Sequence, residues 1–106
     1  MKARGTCVAD EQAAGLAVLT IYARGDLAVC TRVTQVLTLR QATLERFVAD
    51  LSRFDHREVR GLEHVRGPVM RLSVVASFDG DHELVQLIRF LGRIIDVYKV
   101  EHSVHV

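Results

Sequence analysis

Aromatic side chains are scarce in this chain: they make up 6% of its 106 residues, and none is tryptophan. A surface that binds single-stranded nucleic acid by stacking bases needs several of them, so that class is disfavoured. Net charge is nearly absent too. Fourteen basic and thirteen acidic residues leave a formal charge of +1, too little to steer a polyanion or an anionic membrane to the surface. Only two cysteines occur, Cys7 and Cys30, so a disulfide framework is not expected, and Cys30 reads as a buried thiol. Proline appears once, at Pro68. No apolar run approaches the roughly 18 residues of a membrane span. The start, Met1-Lys2-Ala3-Arg4-Gly5 and then Asp10-Glu11-Gln12, has no signal-peptide core, which makes the cytoplasm the expected compartment.

What is present is an ordinary globular composition, 49% hydrophobic and 25% charged, in a length that suits one domain. A core this small yields a stability of about 5–10 kcal/mol, so a partner or self-association is plausible. Residues 1–14 are small and polar and are expected to form a flexible tail, with a single domain over 15–106.

The stretch from Ala17 to Leu51 organises the chain. Ala17, Leu19, Ile21 and Ala23 alternate with Val18, Thr20, Tyr22 and Arg24, which predicts a strand over 17–24 with one face toward a core. The turn Arg24-Gly25-Asp26 follows, and Asp26 is a natural N-cap. Leu27, Cys30, Val33 and Val36-Leu37 then recur at helical spacing, which predicts a helix to about Arg40. A second strand, 43–51, carries Phe47, Ala49 and Leu51 on one side. The unit then repeats. Met70, Leu72, Val74, Ala76 and Phe78 alternate from Val69 onward. Asp79-Gly80-Asp81 makes a turn with Asp81 as the expected cap, and Leu84, Leu87, Ile88 and Leu91 line a helix ending near Gly92. Val97, Tyr98 and Val100 form a last strand, and Glu101 to Val106 either continues it or frays.

This order is the split β-α-β pattern of an α+β, ferredoxin-like βαββαβ fold. It places a four-stranded antiparallel sheet under two helices, over a core of Leu19, Ile21, Phe47, Leu72 and Val74. The other sheet face carries Thr20, Tyr22, Arg71, Ser73 and Ser77, polar enough to meet water or to pack weakly on something else. Between the halves, 52–68 is an extended charged connection punctuated by Gly61, Gly67 and Pro68. It reads either as an outward continuation of the neighbouring strands or as a mobile loop that contacts a partner.

Candidate chemistry is sparse. The histidines at 56, 64, 82, 102 and 105 lack the spacing of a zinc site and read as solvated surface residues. His56, Glu58 and His64 offer an acid and a base without a nucleophile or an orienting group. Arg24-Gly25-Asp26 matches an adhesion tripeptide but reads here as a strand-to-helix turn. The chain itself is expected to need no metal and no cofactor.

Three stretches carry a family resemblance: Leu19-Thr20-Ile21 through Thr31-Arg32-Val33, then Met70 to Val75, and above all Leu91-Gly92-Arg93-Ile94-Ile95-Asp96-Val97-Tyr98-Lys99-Val100. Together they cover nearly all of 17–101. The chain resembles the ACT domain, and within it the regulatory small subunit of acetohydroxyacid (acetolactate) synthase. The resemblance implies a non-catalytic module that binds a small amino acid at a dimer interface. It also implies feedback by branched-chain amino acids on a thiamine-diphosphate-dependent catalytic subunit. The site it implies is Gly25, Asp26, Leu27 and Ala28 of one chain with Thr43, Leu44 and Glu45 of its dimer mate.

The sequence departs from the family there. Gly25 stands at the family's loop Asn, Leu27-Ala28 at its Pro-Gly pair, and Thr43-Leu44-Glu45 at its Asn-Ile-Glu. A hydrogen bond lost from a charged ligand is worth about 1.5–3 kcal/mol, so the usual effector is expected to bind more than tenfold weaker. The alternative expectation is a degenerate ACT-like structural or interaction module that binds no ligand. Strand 43–51 should lie on a sheet edge, without a proline and only partly guarded by Arg46 and Asp50. Pairing two such edges predicts a homodimer.

Overall fold

The computed structural model describes residues 16–40, 42–51, 55–78 and 80–105; the expected tail 1–14 lies outside them. Strand β1 (Leu16–Arg24) leads to helix α1 (Leu27–Leu39) and strand β2 (Thr43–Asp50). A 3-10 turn (His56–Glu58) precedes strand β3 (Val69–Ser77), helix α2 (Asp81–Gly92) and strand β4 (Val97–His105). The sheet is antiparallel throughout, in the order β2-β3-β1-β4, so β2 and β4 are its edges. This is the α+β ferredoxin-like arrangement of the repeated pattern.

Alternation fixes the faces. In β1, Leu19 and Ile21 are fully buried, and they stand opposite Val74 and Leu72 of β3. Those side chains meet Val29, Val33 and Leu37 of α1 and Leu84, Leu87 and Leu91 of α2 in one core. Burying a side chain of this kind contributes about 1.5–3 kcal/mol, and helix α1 depends on that contribution. It is rich in β-branched Val and Thr, which are mediocre helix formers, so tertiary packing holds it rather than intrinsic propensity. Its threonines turn their hydroxyls back onto the helix: Thr31 to Leu27 O (3.2 Å) and Thr38 to Thr34 O (2.9 Å).

Several expectations are corrected. Leu27 is not part of the buried stripe but 83% exposed, because the helix turns Val29, Val33 and Leu37 inward and leaves Cys30 and Val36 at the flanks. Helix α2 starts at Asp81 itself, so Gly80 occupies the N-cap position and no side chain caps that end. The expected Asp79 of that turn lies outside the described residues. Strand β2 stops at Asp50, with Leu51 just beyond it, and Ala49 is exposed whereas Phe47 packs on the core. Of the two expectations for the chain after Val100, continuation of strand β4 holds. It runs on to His105, because β1 offers it a ladder partner as far as Leu16.

The connection between β2 and β3 does not prolong those strands. Its described part, 55–68, folds back over one end of the sheet face away from the helices. Leu62 is 2% exposed and packs with Tyr22 and Val69, flanked by Val59 and Val65, in a second, smaller core. Polar contacts pin this cap. Lys99 Nζ donates to Arg60 O (2.7 Å), His56 Nε2 donates to Val65 O (2.8 Å), and the Gly61 N–H donates to Glu63 Oε1 (3.0 Å). The sheet face expected to be polar is therefore apolar around Tyr22.

Candidate functional site

The candidate loop sits where β1 gives way to α1. Asp26, in extended backbone conformation, caps the helix: its Oδ1 accepts the Ala28 N–H (2.9 Å), and its carbonyl accepts the N–H groups of Val29 and Cys30 (3.0 and 3.4 Å). Such a cap is worth about 1 kcal/mol. The Gly25 N–H donates to Pro68 O (3.0 Å) and the Asp26 N–H to Arg24 O (2.8 Å). Three of the four N–H groups from Gly25 to Ala28 are thus spent within the chain. Among the described residues, the Leu27 N–H is the one without an internal acceptor. The Leu27 and Ala28 side chains are exposed.

Gly25 is packed rather than open. A Cβ placed on it would lie 2.6 Å from Leu51 Cδ1 and 3.2 Å from Pro68 Cβ. The space an asparagine side chain would occupy at this position is filled by the chain itself. Beside the loop, Arg24 donates its N–H to Asp96 O (2.8 Å) and pairs with the Asp96 carboxylate (3.9 Å). Asp96 has a left-handed backbone, φ 75°, a conformation that Asp tolerates better than most residues. Sequence reading gives Asp96 no role in this loop; its only local signal is that tolerance.

Thr43, Leu44 and Glu45 are exposed at the head of β2. Thr43 pairs with Ser77 and Leu44 with Ala76, and the register slips at Glu45. Ser77 faces Leu16, whereas Arg24 faces Val69. The two parts of the candidate site therefore stand at opposite ends of the sheet, about 26 Å apart for eight residues of β3 at roughly 3.3 Å each. One chain does not bring them together.

Asp26 places a carboxylate at a helix N-terminus, where it satisfies the dipole and opposes a second anion. Burial, and then the Asp26 charge, push the Cys30 thiol above its ordinary value, and its Sγ donates to Met70 Sδ (3.5 Å); this thiol is not an activated nucleophile. Among the described residues no group of three or more His, Cys, Asp or Glu is placed to hold a metal, and no helix is long and apolar enough to cross a membrane. A concavity of about 370 Å³ is lined by Thr34, Gln35, Thr38 and Leu39 on the outer side of α1, away from the loop, and carries no ionisable group.

No protein-family model and no curated protein matches the chain. Solved structures do. It is similar to the ACT domain of GTP pyrophosphokinase from Chlorobium tepidum in a crystal structure (TM-score 0.63, 16% identity, 85% of this chain and 99% of that one). A solution structure of the same domain gives TM-score 0.63 and 15% identity, over 89% of this chain and 91% of that one. It is also similar to the C-terminal domain of the MgtC protein from Mycobacterium tuberculosis (TM-score 0.62, 14% identity, 90% of this chain and 92% of that one). The order β2-β3-β1-β4 with two helices on one face is thus the fold of an ACT domain.

Proposed function

We propose that this chain is a non-catalytic regulatory module that acts as a homodimer in the cytoplasm, binds a small amino acid between its two copies and modulates a partner enzyme. One observation carries the reading: the two parts of the candidate site lie at opposite ends of a sheet whose edge is the strand that bears one of them. Two β2 edges related by a two-fold axis pair antiparallel. The head of one β2, with Thr43 to Glu45, then lies beside the end of the other, next to that copy's Gly25 to Ala28. In such a dimer the free Leu27 N–H offers a donor to an effector carboxylate, and the carboxylates of Asp26 and Glu45 offer acceptors to its ammonium. The likeness of Leu91–Val100 to the acetohydroxyacid synthase small subunit makes a thiamine-diphosphate-dependent catalytic subunit the first partner to try. It makes valine, leucine and isoleucine the first effectors.

A second reading rests on the same loop. With the N–H groups of Gly25, Asp26 and Ala28 bonded internally and Leu51 and Pro68 against Gly25, the loop is closed on itself. That favours an interaction module that keeps the fold and dispenses with the ligand. Isothermal titration calorimetry decides between the two. Saturable heat with one of the amino acids, lost in Glu45→Gln, supports the effector. No heat with any amino acid, while the chain still captures a catalytic subunit, leaves the interaction module.

A further inference from the structure

The charge of this chain is balanced in total and segregated in space. From Leu27 to Ala42, and again from Leu84 to Ile95, the sequence holds no Asp or Glu. The same stretches hold Arg32, Arg40, Arg89 and Arg93. They form α1 and most of α2, which lie side by side on the sheet. Three of the arginines reach the seam between the helices. The guanidinium of Arg40 lies 4.0 Å from the centroid of the Phe90 ring, and that of Arg93 lies 5.8 Å from it. Arg32 donates to Ile95 O (3.4 Å), three residues beyond the end of α2 at Gly92. Arg89 stands one turn before Arg93 on the exposed side. The ion pairs of the described residues all lie elsewhere, and none of them engages these four arginines.

Helix dipoles account for part of this, since cations are favoured near the C-terminal ends where Arg40, Arg89 and Arg93 stand. They do not account for Arg32, in the second turn of α1, or for the missing acids. We infer that the seam between α1 and α2 is a docking surface for an acidic segment of a partner protein. The spacing selects the occupant. Arg32 and Arg40 are eight residues apart, about 12 Å along the helix. Arg40 and Arg93 share one ring, but with Arg32 about 12 Å away along α1 the row is longer than a single phosphate and matches carboxylates on successive turns of a partner segment. Guanidinium forks bind carboxylates in pairs of hydrogen bonds. Stacking on Phe90 holds two of them in advance, which reduces the ordering cost of docking. The seam lies on the α2 side of α1, away from the β2 edge, so it remains open whether or not two copies pair and whether or not the 25–28 loop takes a ligand.

The test is fluorescence anisotropy of a labelled oligoglutamate peptide with the whole chain, repeated at rising salt. Arg40→Gln/Arg93→Gln is expected to weaken binding by about tenfold or more, as befits one lost charge-assisted bond or two. Arg60→Gln/Arg66→Gln removes the same charge from exposed positions outside the seam and the β2 edge and is expected to change it by less than about twofold. Because Phe90 packing changes with Arg40, Arg32→Gln/Arg89→Gln serves as a second variant that makes no ring contact, and a several-fold loss is expected from it. Three outcomes overturn the proposal: no binding of the peptide, equal losses from the seam and control pairs, or displacement by inorganic phosphate or oligothymidylate at lower concentration than by free peptide.

Discussion

Gly25 illustrates how packing alone can fix the identity of one residue. Its backbone is not left-handed, so the reason for glycine is space: Leu51 and Pro68 occupy the direction a Cβ would take. Gly25→Ala is expected to cost about 1 kcal/mol, because the exposed end of Leu51 can swing aside while Pro68 must give a few tenths of an ångström. Urea denaturation should show a lower midpoint at unchanged slope, and the penalty should shrink in a Leu51→Ala background. Equal penalties in both backgrounds would show that the contact with Leu51 is not the cause. Charged residues of the cap have their own signature. Arg57, through its side chain first and then its N–H, holds the Asp55 carboxyl below its ordinary value. The N–H groups of Glu63 and Gly61 do the same for Glu63. A depressed carboxyl favours the folded cap above its unfolded value and loses that effect as pH falls through the folded one. Acid should therefore loosen 55–68 ahead of the main core. Carbon-detected NMR titration should place both midpoints below those of model carboxyls, and ordinary midpoints would contradict these contacts.

At the scale of elements, the cap and the sheet are unequal partners. The main core joins all four strands and both helices, while the cap rests on Leu62, Tyr22 and Val69 with two flanking valines. Leu62→Ala should cost about 2 kcal/mol, the lower end for a buried leucine, since the cap can settle into the space. Leu72→Ala, from the middle of the sheet, should cost more. Limited proteolysis separates the two: Leu62→Ala is expected to expose cleavage within 55–68 while the rest of the chain stays resistant. A cut pattern like that of the parent would mean that the cap does not depend on Leu62. Lys99 belongs to this account as well. It bridges Arg60 O and the Glu101 carboxylate (3.0 Å), so β4 serves as the cap's anchor as well as a sheet edge.

For the whole molecule, the open question of assembly falls on β2. Leu44 and Val48 are 48% and 40% exposed along this edge, and Leu51 follows at 49%. An unpaired, apolar edge of this kind invites a second strand. Phe47 is a poor position for testing the dimer, because it also packs on the core and its replacement would disturb the fold itself. Leu44→Lys/Val48→Lys avoids that difficulty. Sedimentation velocity at micromolar concentration should give a dimer for the parent chain and a folded monomer, with cooperative melting, for the double variant. A parent chain that sediments as a monomer would remove both the dimer and the shared site.

The sequence alone determined the elements and their order. Alternation at Leu19-Ile21 and Leu72-Val74, helical spacing through Val33 and Leu87, and Asp26 at a helix start are local signals, written in neighbouring residues and read without knowing what packs on them. The edge position of β2 followed from the repeat of the β-α-β unit. Tertiary structure decided what depends on contacts far apart in the chain. Leu62 is one apolar residue in a charged run, and its burial depends on contact with Tyr22, far away in the chain, as well as on Val69. Leu27 fits the helical period but faces solvent, because the rotation of α1 is set by how Val29, Val33 and Leu37 fit the sheet. Strand β4 continues past Val100 because β1 has unpaired backbone there. The candidate site was named residue by residue from the resemblance, but its closure by Pro68 and Leu51, and the distance between its two parts, come from the register of the sheet. Register is a property of strands that meet across the chain, and no single stretch encodes it.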